Sequence, residues 1–188
     1  MLPAYSDSLS GGAWRGDRTR GVHGERDMSL HRRKIANLEI REATSNDINK
    51  IVTYNCLMAK ETEELLLDQP VVESGVESVI NDTSKGQYWV AEYNDTVIGQ
   101  LMVTYEWSDW RNGFMWWIQS AYVLGEYRRR GVFSALYNHL KLIAKEKPSC
   151  CGIRLYVEKH NKHAQKTYLS LGMASTGYEI MEMDFTKG

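Results

Sequence analysis

The chain has 188 residues and a nearly balanced charge, with 23 basic and 24 acidic side chains. This length favours one domain with a substantial core, and the charge balance disfavours a general nucleic-acid binder. Its three cysteines match neither a disulfide framework nor zinc spacing, and its apolar runs stay short of the roughly 18 residues of a membrane span. We therefore expect a protein of a reducing compartment, the cytoplasm, that binds neither membrane nor nucleic acid.

The first 36 residues differ in composition from the rest of the chain. They contain five of the 15 glycines and seven basic residues against four acidic ones, but few large aliphatic side chains. A segment that buries so little apolar surface does not fold by itself. We expect a flexible tail over residues 1–36 and one folded domain over residues 37–188. The acidic residues of the tail count against a transit peptide, and Met28 as the natural start stays an open alternative.

The folded region is predicted to begin with a strand and two helices. Residues Leu38 to Ala43 alternate between apolar and polar side chains, as a half-buried strand does. Ser45 and Asp47 are candidate caps for a helix that follows, and a second helix is predicted over Val72–Ile80.

Three strands and a helix are predicted next. The strands Gln87–Glu92 and Val97–Trp107 flank the turn residues Asn94-Asp95, which indicates a hairpin. A further strand covers Phe114–Leu124. Apolar residues spaced by three and four positions then predict an amphipathic helix over Val132–Ala144.

The last predicted elements are a strand, a helix and a closing strand. Ile153 to Val157 alternates, and a helix from Asn161 to Leu171 ends at Gly172, a residue suited to a helix C-terminus. Residues Glu179 to Phe185 are predicted to close the chain as a strand. The order β-α-α-β-β-β-α-β-α-β predicts an α/β fold in which helices cover a mixed sheet.

The basic turn from Tyr127 to Ser134 joins a predicted strand to the helix that begins at Val132. The first N–H groups of a helix have no acceptor within the helix, and the helix dipole favours negative charge there. A glycine at this junction lets several N–H groups point into one hollow, which suits a phosphate or diphosphate. A solvated run of three arginines is the alternative. The Walker and dinucleotide-binding motifs do not fit, because their lysine and their further glycines are missing.

The order of elements and this turn resemble the GNAT superfamily of N-acetyltransferases. Members share a cofactor-binding turn of the pattern Gln/Arg-x-x-Gly-x-Gly/Ala; here Arg128 and Gly131 match, and Phe133 stands where a small residue is expected. A second family pattern, Asn-x-x-Ala-x-x-x-Tyr-x-x-x-Gly, is matched by Asn161, Ala164, Tyr168 and Gly172. Either pattern alone is weak, but both occur in order, and the resemblance covers about residues 38–185.

The resemblance implies a mixed, mostly antiparallel central sheet with flanking helices and a splay between two parallel central strands, near residues 115–124 and 152–158. It also implies acetyl-CoA as the donor. We expect no metal, because His160 and His163 have no third ligand and two histidines alone rarely form a metal site. The pantetheine arm would lie in the splay, on the backbone of Tyr122 and Val123. Asn161 would bind the pantetheine or its carbonyl groups. The diphosphate would lie on the turn formed by Arg128, Arg129, Arg130, Gly131, Val132, Phe133 and Ser134.

The resemblance also suggests a catalytic acid. In this family a tyrosine hydroxyl protonates the departing CoA sulfur, and Tyr168 holds the corresponding position of the second pattern. A thiol has a pKa of about 8.5 and a phenol a pKa of about 10, so the proton transfer is uphill by roughly 2 kcal/mol. Tyrosine therefore assists the step without being strictly required. The alternative is an aromatic side chain that packs with Ala164 and Leu171 on the same helix.

No general base is evident in the sequence. Some family members carry a glutamate on the strand before the turn, but residues 113–124 contain neither Asp nor Glu. Glu106 and Asp109 just upstream, and Glu61 and Glu63 near the end of the first helix, are the candidate substitutes. Each also fits the more common role of a solvated surface charge. A water relay to solvent is equally compatible.

Five of the tryptophans cluster in the middle of the chain: Trp89, Trp107, Trp110, Trp116 and Trp117. Trp116 and Trp117 are neighbours on a predicted strand, so we expect their side chains on opposite faces of the sheet. Core packing explains most of the five. One or two could form the wall of an acceptor pocket that attracts an amine through cation–π contacts.

These observations predict an acetyl-CoA-dependent N-acetyltransferase that transfers acetyl directly to a primary amine of a small molecule or peptide. Direct transfer is favoured because no nucleophile with an adjacent base lies near the two patterns. The alternative is a catalytically inactive CoA-binding regulatory module, which the missing strand carboxylate would suit. The sequence does not identify the acceptor, and it leaves open whether the protein is a homodimer.

Overall fold

The computed structural model of the chain describes residues 34–185, so almost all of the predicted tail lies outside the described residues. The helices and strands, in chain order, are β1 (Glu39–Glu42), α1 (Ile48–Glu63), α2 (Gln69–Asn81), β2 (Gln87–Tyr93), β3 (Thr96–Ser108), β4 (Gly113–Val123), α3 (Val132–Glu146), β5 (Cys150–Leu155) and α4 (Lys162–Ser170). Short 3₁₀ turns precede α1 and follow β4. Apart from the last strand, every predicted helix and strand is confirmed.

The five strands form one mixed sheet in the order β1-β2-β3-β4-β5. Neighbouring strands are antiparallel except for β4 and β5, which run parallel. Parallel neighbours need a crossover connection, and α3 provides it. The predicted α/β class with a mixed, mostly antiparallel sheet and flanking helices is therefore confirmed.

Helices cover both faces of the sheet. On one face, α3 buries Leu136 and Leu140 against a cluster that includes Leu101 and Trp116. On the other face, α1 and α2 bury a second cluster, which includes Ile51 and Val76. These two layers place the end of α1 and the start of α3 on opposite sides of β4, the strand that leads into the basic turn.

The predicted cap at Asp47 is correct in position only. Asp47 is the N-cap residue of α1, but its buried side chain makes no cap hydrogen bond to that helix and instead stabilises the 3₁₀ turn Ser45–Asp47 that precedes it. Asp47 and Thr44 form a reciprocal capping box, in which the Thr44 N–H donates to Asp47 Oδ2 at 2.8 Å. The Arg41 guanidinium donates to both carboxylate oxygens, at 2.8 and 2.9 Å. Burial raises the pKa of Asp47, but the hydrogen bonds from Arg41 and Thr44 together lower that pKa below its usual value.

The predicted closing strand over Glu179–Phe185 is wrong. Residues 173–185 form neither helix nor strand, so β5 is an edge strand of the described sheet and not a central one. The alternation of side chains in this segment indicates that it can make a half-buried strand. Alternation does not reveal whether a neighbouring edge is within reach, and a strand exists only where one pairs with it.

Candidate active site

The sheet opens between β4 and β5. Their parallel ladder runs from the pair Phe114 and Cys150 to the pair Ile118 and Leu155, and β4 then continues alone on this side to Val123. After Ile118, the backbone N–H and C=O groups of β4 that point away from β3 bond to no other strand among residues 34–185. The predicted splay is therefore present, and it offers hydrogen-bonding groups to an extended ligand.

A β-bulge lies at the same point of β4. Met102 of β3 pairs with Ser120, while the next residue of β3, Val103, pairs with Ile118. Gln119 is therefore the extra residue of the bulge, and it has no residue opposite it on β3. Its side-chain amide donates to Thr104 Oγ1 at 2.7 Å, which fixes the strand beside the opening.

The basic turn has the backbone geometry of an anion site. Arg129 and Gly131 both have left-handed backbone conformations, with φ of 60° and 85°. Gly131 is the N-cap residue of α3, and a glycine supplies no side-chain cap to the helix. The first hydrogen bond of the helix runs from the Ala135 N–H to the Gly131 carbonyl, at 2.9 Å. The N-terminus of α3 thus carries the helix dipole and begins at a residue without a capping side chain, as a phosphate-binding turn does.

Three cationic side chains lie at the surface of this turn. Arg129 is exposed, and the guanidinium of Arg130 lies over the ring of Tyr127, 5.6 Å from its centroid. The stem of Lys34 lies against Gly131, its Cγ 3.5 Å from the position that a Cβ would occupy there. Sequence reasoning missed Lys34, because it assigned that residue to the tail and nothing local links it to the turn.

Arg128, the leading arginine of the turn, points inward. Its Nε donates to the Val123 carbonyl at 2.8 Å, and its Nη2 donates to Glu61 Oε2 at 2.5 Å. The guanidinium also lies over the Tyr122 ring, 5.2 Å from the centroid, and the Tyr122 hydroxyl donates to Glu61 Oε1 at 2.8 Å. One carboxylate therefore ties the end of α1 to the end of β4 and to the basic turn.

Burial and the neighbouring Glu61 carboxylate both raise the pKa of Tyr122, so its hydroxyl stays a donor to that carboxylate. Tyr122 and Val123 are the predicted pantetheine contacts, and the Tyr122 side chain is buried. Tyr122 and Val123 would therefore contact a ligand through their backbone groups. The Val123 carbonyl already accepts one hydrogen bond, from Arg128. The Glu61 bridge holds this part of the strand in position.

We expect Glu61→Gln to weaken CoA binding about 3- to 10-fold, because the glutamine amide group would face a donor where the carboxylate now accepts. Calorimetric titration with CoA measures this change. Glu63→Gln is the matched control, since it makes the same charge change two residues later and Glu63 makes no side-chain hydrogen bond or ion pair in the described region. If Glu61 were instead the general base, CoA affinity would stay unchanged while turnover fell by about 10²- to 10⁴-fold.

Of the two residues predicted from the second pattern, Asn161 is the N-cap of α4 and Tyr168 lies on α4 beside the start of α3. The side chain of Asn161 caps α4, because its Oδ1 accepts from the Ala164 N–H at 2.9 Å. Tyr168 is half-buried, and its ring meets the edge of the Phe133 ring at 5.7 Å between centroids. Phe133 is itself buried, so the large side chain that departs from the family pattern fills the space between α3 and α4 and does not block the turn.

Trp116 and Trp117 face opposite sides of the sheet, as predicted. Trp116 is buried and stacks on Trp89 under α3, with 6.2 Å between ring centroids. Trp117 lies on the face of α1 and α2, near the end of the paired part of β4 and β5, where its ring contacts Tyr156 at 4.5 Å. Trp107 and Trp110 are exposed at the far end of the β3–β4 hairpin, away from the opening.

A carboxylate reaches Trp117 from the neighbouring strand. The indole Nε1 of Trp117 donates to Glu106 Oε2 at 2.6 Å, and Arg154 of β5 donates to Glu106 Oε1 at 3.1 Å. Glu106 thus lies beside the last paired residues of β4 and β5, whereas Glu61 bonds to Tyr122 in the unpaired part of β4. Asp109 instead accepts from the Trp110 N–H in the hairpin turn, at 2.8 Å.

Two kinds of feature are absent from the described residues. No group of three or more His, Cys, Asp or Glu side chains within residues 34–185 is arranged to hold a metal ion. In the same part of the chain, no helix is long and apolar enough to cross a membrane.

Comparison with known proteins identifies the fold. A possible acetyltransferase from Clostridium difficile 630 is 47% identical with a TM-score of 0.74, over 78% of this chain and 97% of that one. The ribosomal-protein-alanine N-acetyltransferase of Brucella melitensis biovar Abortus 2308 shares the fold at 15% identity, with a TM-score of 0.66 over 80% and 100% of the two chains. Aminoglycoside N-acetyltransferase AAC(6')-Iy in complex with CoA also shares it, at 15% identity and a TM-score of 0.66 over 79% and 95%.

No curated protein sequence matches the chain. The Acetyltransferase (GNAT) family, by contrast, matches residues 56–173, which include the opening in the sheet, the basic turn and α4. The chain therefore belongs to the GNAT family of acetyltransferases.

Proposed function

We propose that the protein is an acetyl-CoA-dependent N-acetyltransferase that transfers acetyl directly to a primary amine of a small molecule or peptide. The observation that carries this proposal is the continuity of β4 with the basic turn. β4 loses its partner β5 after Ile118, and it ends at Val123, a few residues before α3 begins at a glycine N-cap. A ligand with an amide-bearing arm and a diphosphate at one end suits this arrangement.

The fold relatives support CoA as the donor. AAC(6')-Iy is solved with CoA, and also with a bisubstrate analog described as CoA-S-monomethyl-acetylneamine. In the proposed complex the diphosphate lies on the N-terminus of α3, with Arg129, Arg130 and Lys34 nearby. The pantetheine arm follows β4 from Val123 towards the bulge, which brings the thioester to the region of Gln119.

Direct transfer agrees with the positions of the cysteines. Cys150 and Cys151 begin β5, where Cys150 pairs with Phe114 at the closed end of the β4–β5 ladder. Burial raises the pKa of the Cys150 thiol, which disfavours the nucleophilic thiolate. The amine of the acceptor would attack the thioester carbon, and the Tyr168 hydroxyl would protonate the CoA sulfur as the C–S bond breaks.

The acceptor would approach the face of the sheet that carries α1 and α2. Trp117, whose ring contacts Tyr156 at 4.5 Å, presents aromatic surface there, and Glu106 supplies a carboxylate. An ammonium group gains from both, through cation–π attraction and charge. Because Arg154 and Trp117 already bind Glu106, we assign this residue to orienting the amine, and a water relay carries its proton to solvent.

An amine panel tests the proposal. The protein is incubated with acetyl-CoA and single amines (an aminoglycoside, a polyamine, lysine and peptides with a free N-terminus), and release of the CoA thiol is measured against the same mixture without protein. We expect thiol release with at least one amine and a matching N-acetyl product by mass spectrometry. Tight binding of CoA without turnover on any amine would instead identify the regulatory module.

A further inference from the structure

A pair of oppositely charged side chains lies at the open end of the β4–β5 ladder. Arg154 of β5 pairs with Trp117 of β4, one step before the ladder ends at Ile118 and Leu155. The Arg154 guanidinium lies over the Trp117 ring, 5.6 Å from its centroid, and Arg154 Nη1 donates to Glu106 Oε1 at 3.1 Å. A cation, an anion and an aromatic ring therefore meet where the sheet opens.

Glu106 uses only part of the hydrogen-bonding capacity of Arg154. A guanidinium carries five N–H donors, and the guanidinium of Arg154 makes one hydrogen bond within residues 34–185, the bond to Glu106. The Arg154 side chain is 29% exposed, so its other donors can be reached from solvent. Donors in this fixed planar arrangement match the two oxygens of a carboxylate.

Glu106 provides the opposite charge beside this donor group. Its Oε2 accepts from Trp117 Nε1 at 2.6 Å and its Oε1 accepts from Arg154, and the side chain is 48% exposed. An ionised carboxylate has about four lone-pair sites, so Glu106 can accept further hydrogen bonds from an amine. Together the two side chains offer one positive and one negative charge side by side.

A ligand with a single charge matches only half of this pair. A simple amine would be attracted by Glu106 but would lie against the positive Arg154, and a simple acid would meet the reverse situation. A zwitterion whose two charges are a few bonds apart matches both side chains at once. A free amino acid has this chemistry, because its amine and its carboxylate are attached to one carbon.

We propose that the acceptor is a free amino acid, whose carboxylate binds Arg154 and whose α-amine, oriented by Glu106, receives the acetyl group. This inference rests on the proposed function, which brings the thioester to the region of Gln119. Trp117 lies two residues before Gln119, about 7 Å along the strand. An amino acid held beside Trp117 by its carboxylate thus directs its amine towards the thioester carbon.

The transfer releases one proton overall. The ammonium group of the amino acid gives up two protons, and the C–N bond forms as the C–S bond breaks. One proton equivalent goes to the CoA sulfur and the other passes to solvent. The products are the N-acetyl amino acid and the CoA thiol.

Acceptors that differ only at the carboxylate test the inference. Each common amino acid with a primary amine is compared with its carboxamide in the thiol-release assay with acetyl-CoA. The best amino acid should have a kcat/KM about 10- to 100-fold above that of its carboxamide. The carboxamide has the less basic amine, so more of it is unprotonated at neutral pH and basicity alone would favour it. Carboxamides that react as well as the amino acids, or better, would overturn the inference.

Substitution of Arg154 tests the residue itself. Arg154→Gln should lower kcat/KM for the amino acid about 10- to 100-fold, mainly through KM, and reduce its advantage over the carboxamide to about threefold or less. Arg154→Lys should restore part of the advantage, because lysine keeps the charge but loses the planar fork. Arg111→Gln is the control, since it makes the same charge change at an exposed position of the β3–β4 hairpin turn, and it should keep the full advantage.

The outcomes separate this inference from the proposed function. An advantage of the amino acid that Arg154→Gln leaves unchanged would overturn the assignment of Arg154. Thiol release with amines that does not depend on a carboxylate would overturn the amino acid as acceptor and would leave the acetyltransferase in place. No thiol release with any amine or amino acid would overturn both.

Discussion

Replacing Tyr168 by phenylalanine should lower turnover by about 10²- to 10⁴-fold with little change in stability or in CoA affinity. The change removes the hydroxyl that we assign to protonation of the CoA sulfur, and it keeps the ring that meets Phe133 at 5.7 Å. Without an acid, the thiolate leaves unprotonated, and the barrier rises. The loss is finite because the phenol is itself a weaker acid than the thiol it protonates, as the difference in pKa of about 1.5 units shows.

Single-turnover kinetics with the acceptor found in the amine panel measure this effect where chemistry limits the rate. Tyr137→Phe is the matched control, because Tyr137 belongs to the same buried cluster. Like Tyr168, it contacts Phe133; the two rings stack along α3 with 6.3 Å between their centroids. It removes a hydroxyl with no assigned role in transfer, so turnover should stay within about threefold of the wild type. Full turnover by Tyr168→Phe under these conditions would remove the tyrosine from the mechanism.

Much of the fold could be predicted because each element carries a local signal. The stripe of Val132, Leu136 and Leu140 predicts α3, and all three side chains are buried in the structure. The turn residues Asn94-Asp95 predict the β2–β3 hairpin, and both adopt positive φ there, as such a turn requires. Patterns of this kind are contained within a few residues, so helices and turns can be predicted from them without knowing how the strands pair.

The rest depends on which distant residues meet. Glu61 contacts Tyr122 and Arg128 because α1 ends over the last part of β4. The sequence pattern of a single segment does not predict such a contact. Glu106 reaches Trp117 because the register of the β3–β4 hairpin brings the two residues onto neighbouring positions, and the bulge at Gln119 changes that register only beyond Ile118. The sequence therefore identified the candidate carboxylates, but it did not predict which residues they contact in the folded protein.

The contacts of Arg128 also change how the basic turn is understood. A run of three arginines suggests that all three charges are available to phosphate. The Arg128 side chain, however, is only 16% exposed and binds Glu61 and the Val123 carbonyl. The binding energy for a diphosphate would then come mainly from backbone donors and the helix dipole, with Arg129, Arg130 and Lys34 adding charge at the surface. The geometry of the turn, more than its charge, should control affinity.

We accordingly expect Gly131→Ala to weaken CoA binding about 5- to 30-fold. A Cβ at this position meets no atom closer than 3.5 Å, so the substitution is not a steric clash. Its φ of 85° is left-handed, and a residue with a Cβ held there is strained by about 1–2 kcal/mol. The turn relaxes from the binding conformation, and the apparent affinity falls with the population that remains competent.

Gly125→Ala is the control, because Gly125 lies in the short 3₁₀ turn before the basic turn and does not have a positive φ. A Cβ added there would meet no atom within 4 Å. Calorimetric titration should give a CoA affinity for this variant within about twofold of the wild type. Pantetheine, which lacks the diphosphate, supplies a second comparison: Gly131→Ala should bind it as the wild type does. If Gly131→Ala bound CoA with undiminished affinity, or lost affinity for CoA and pantetheine alike, the diphosphate would not lie on the N-terminus of α3.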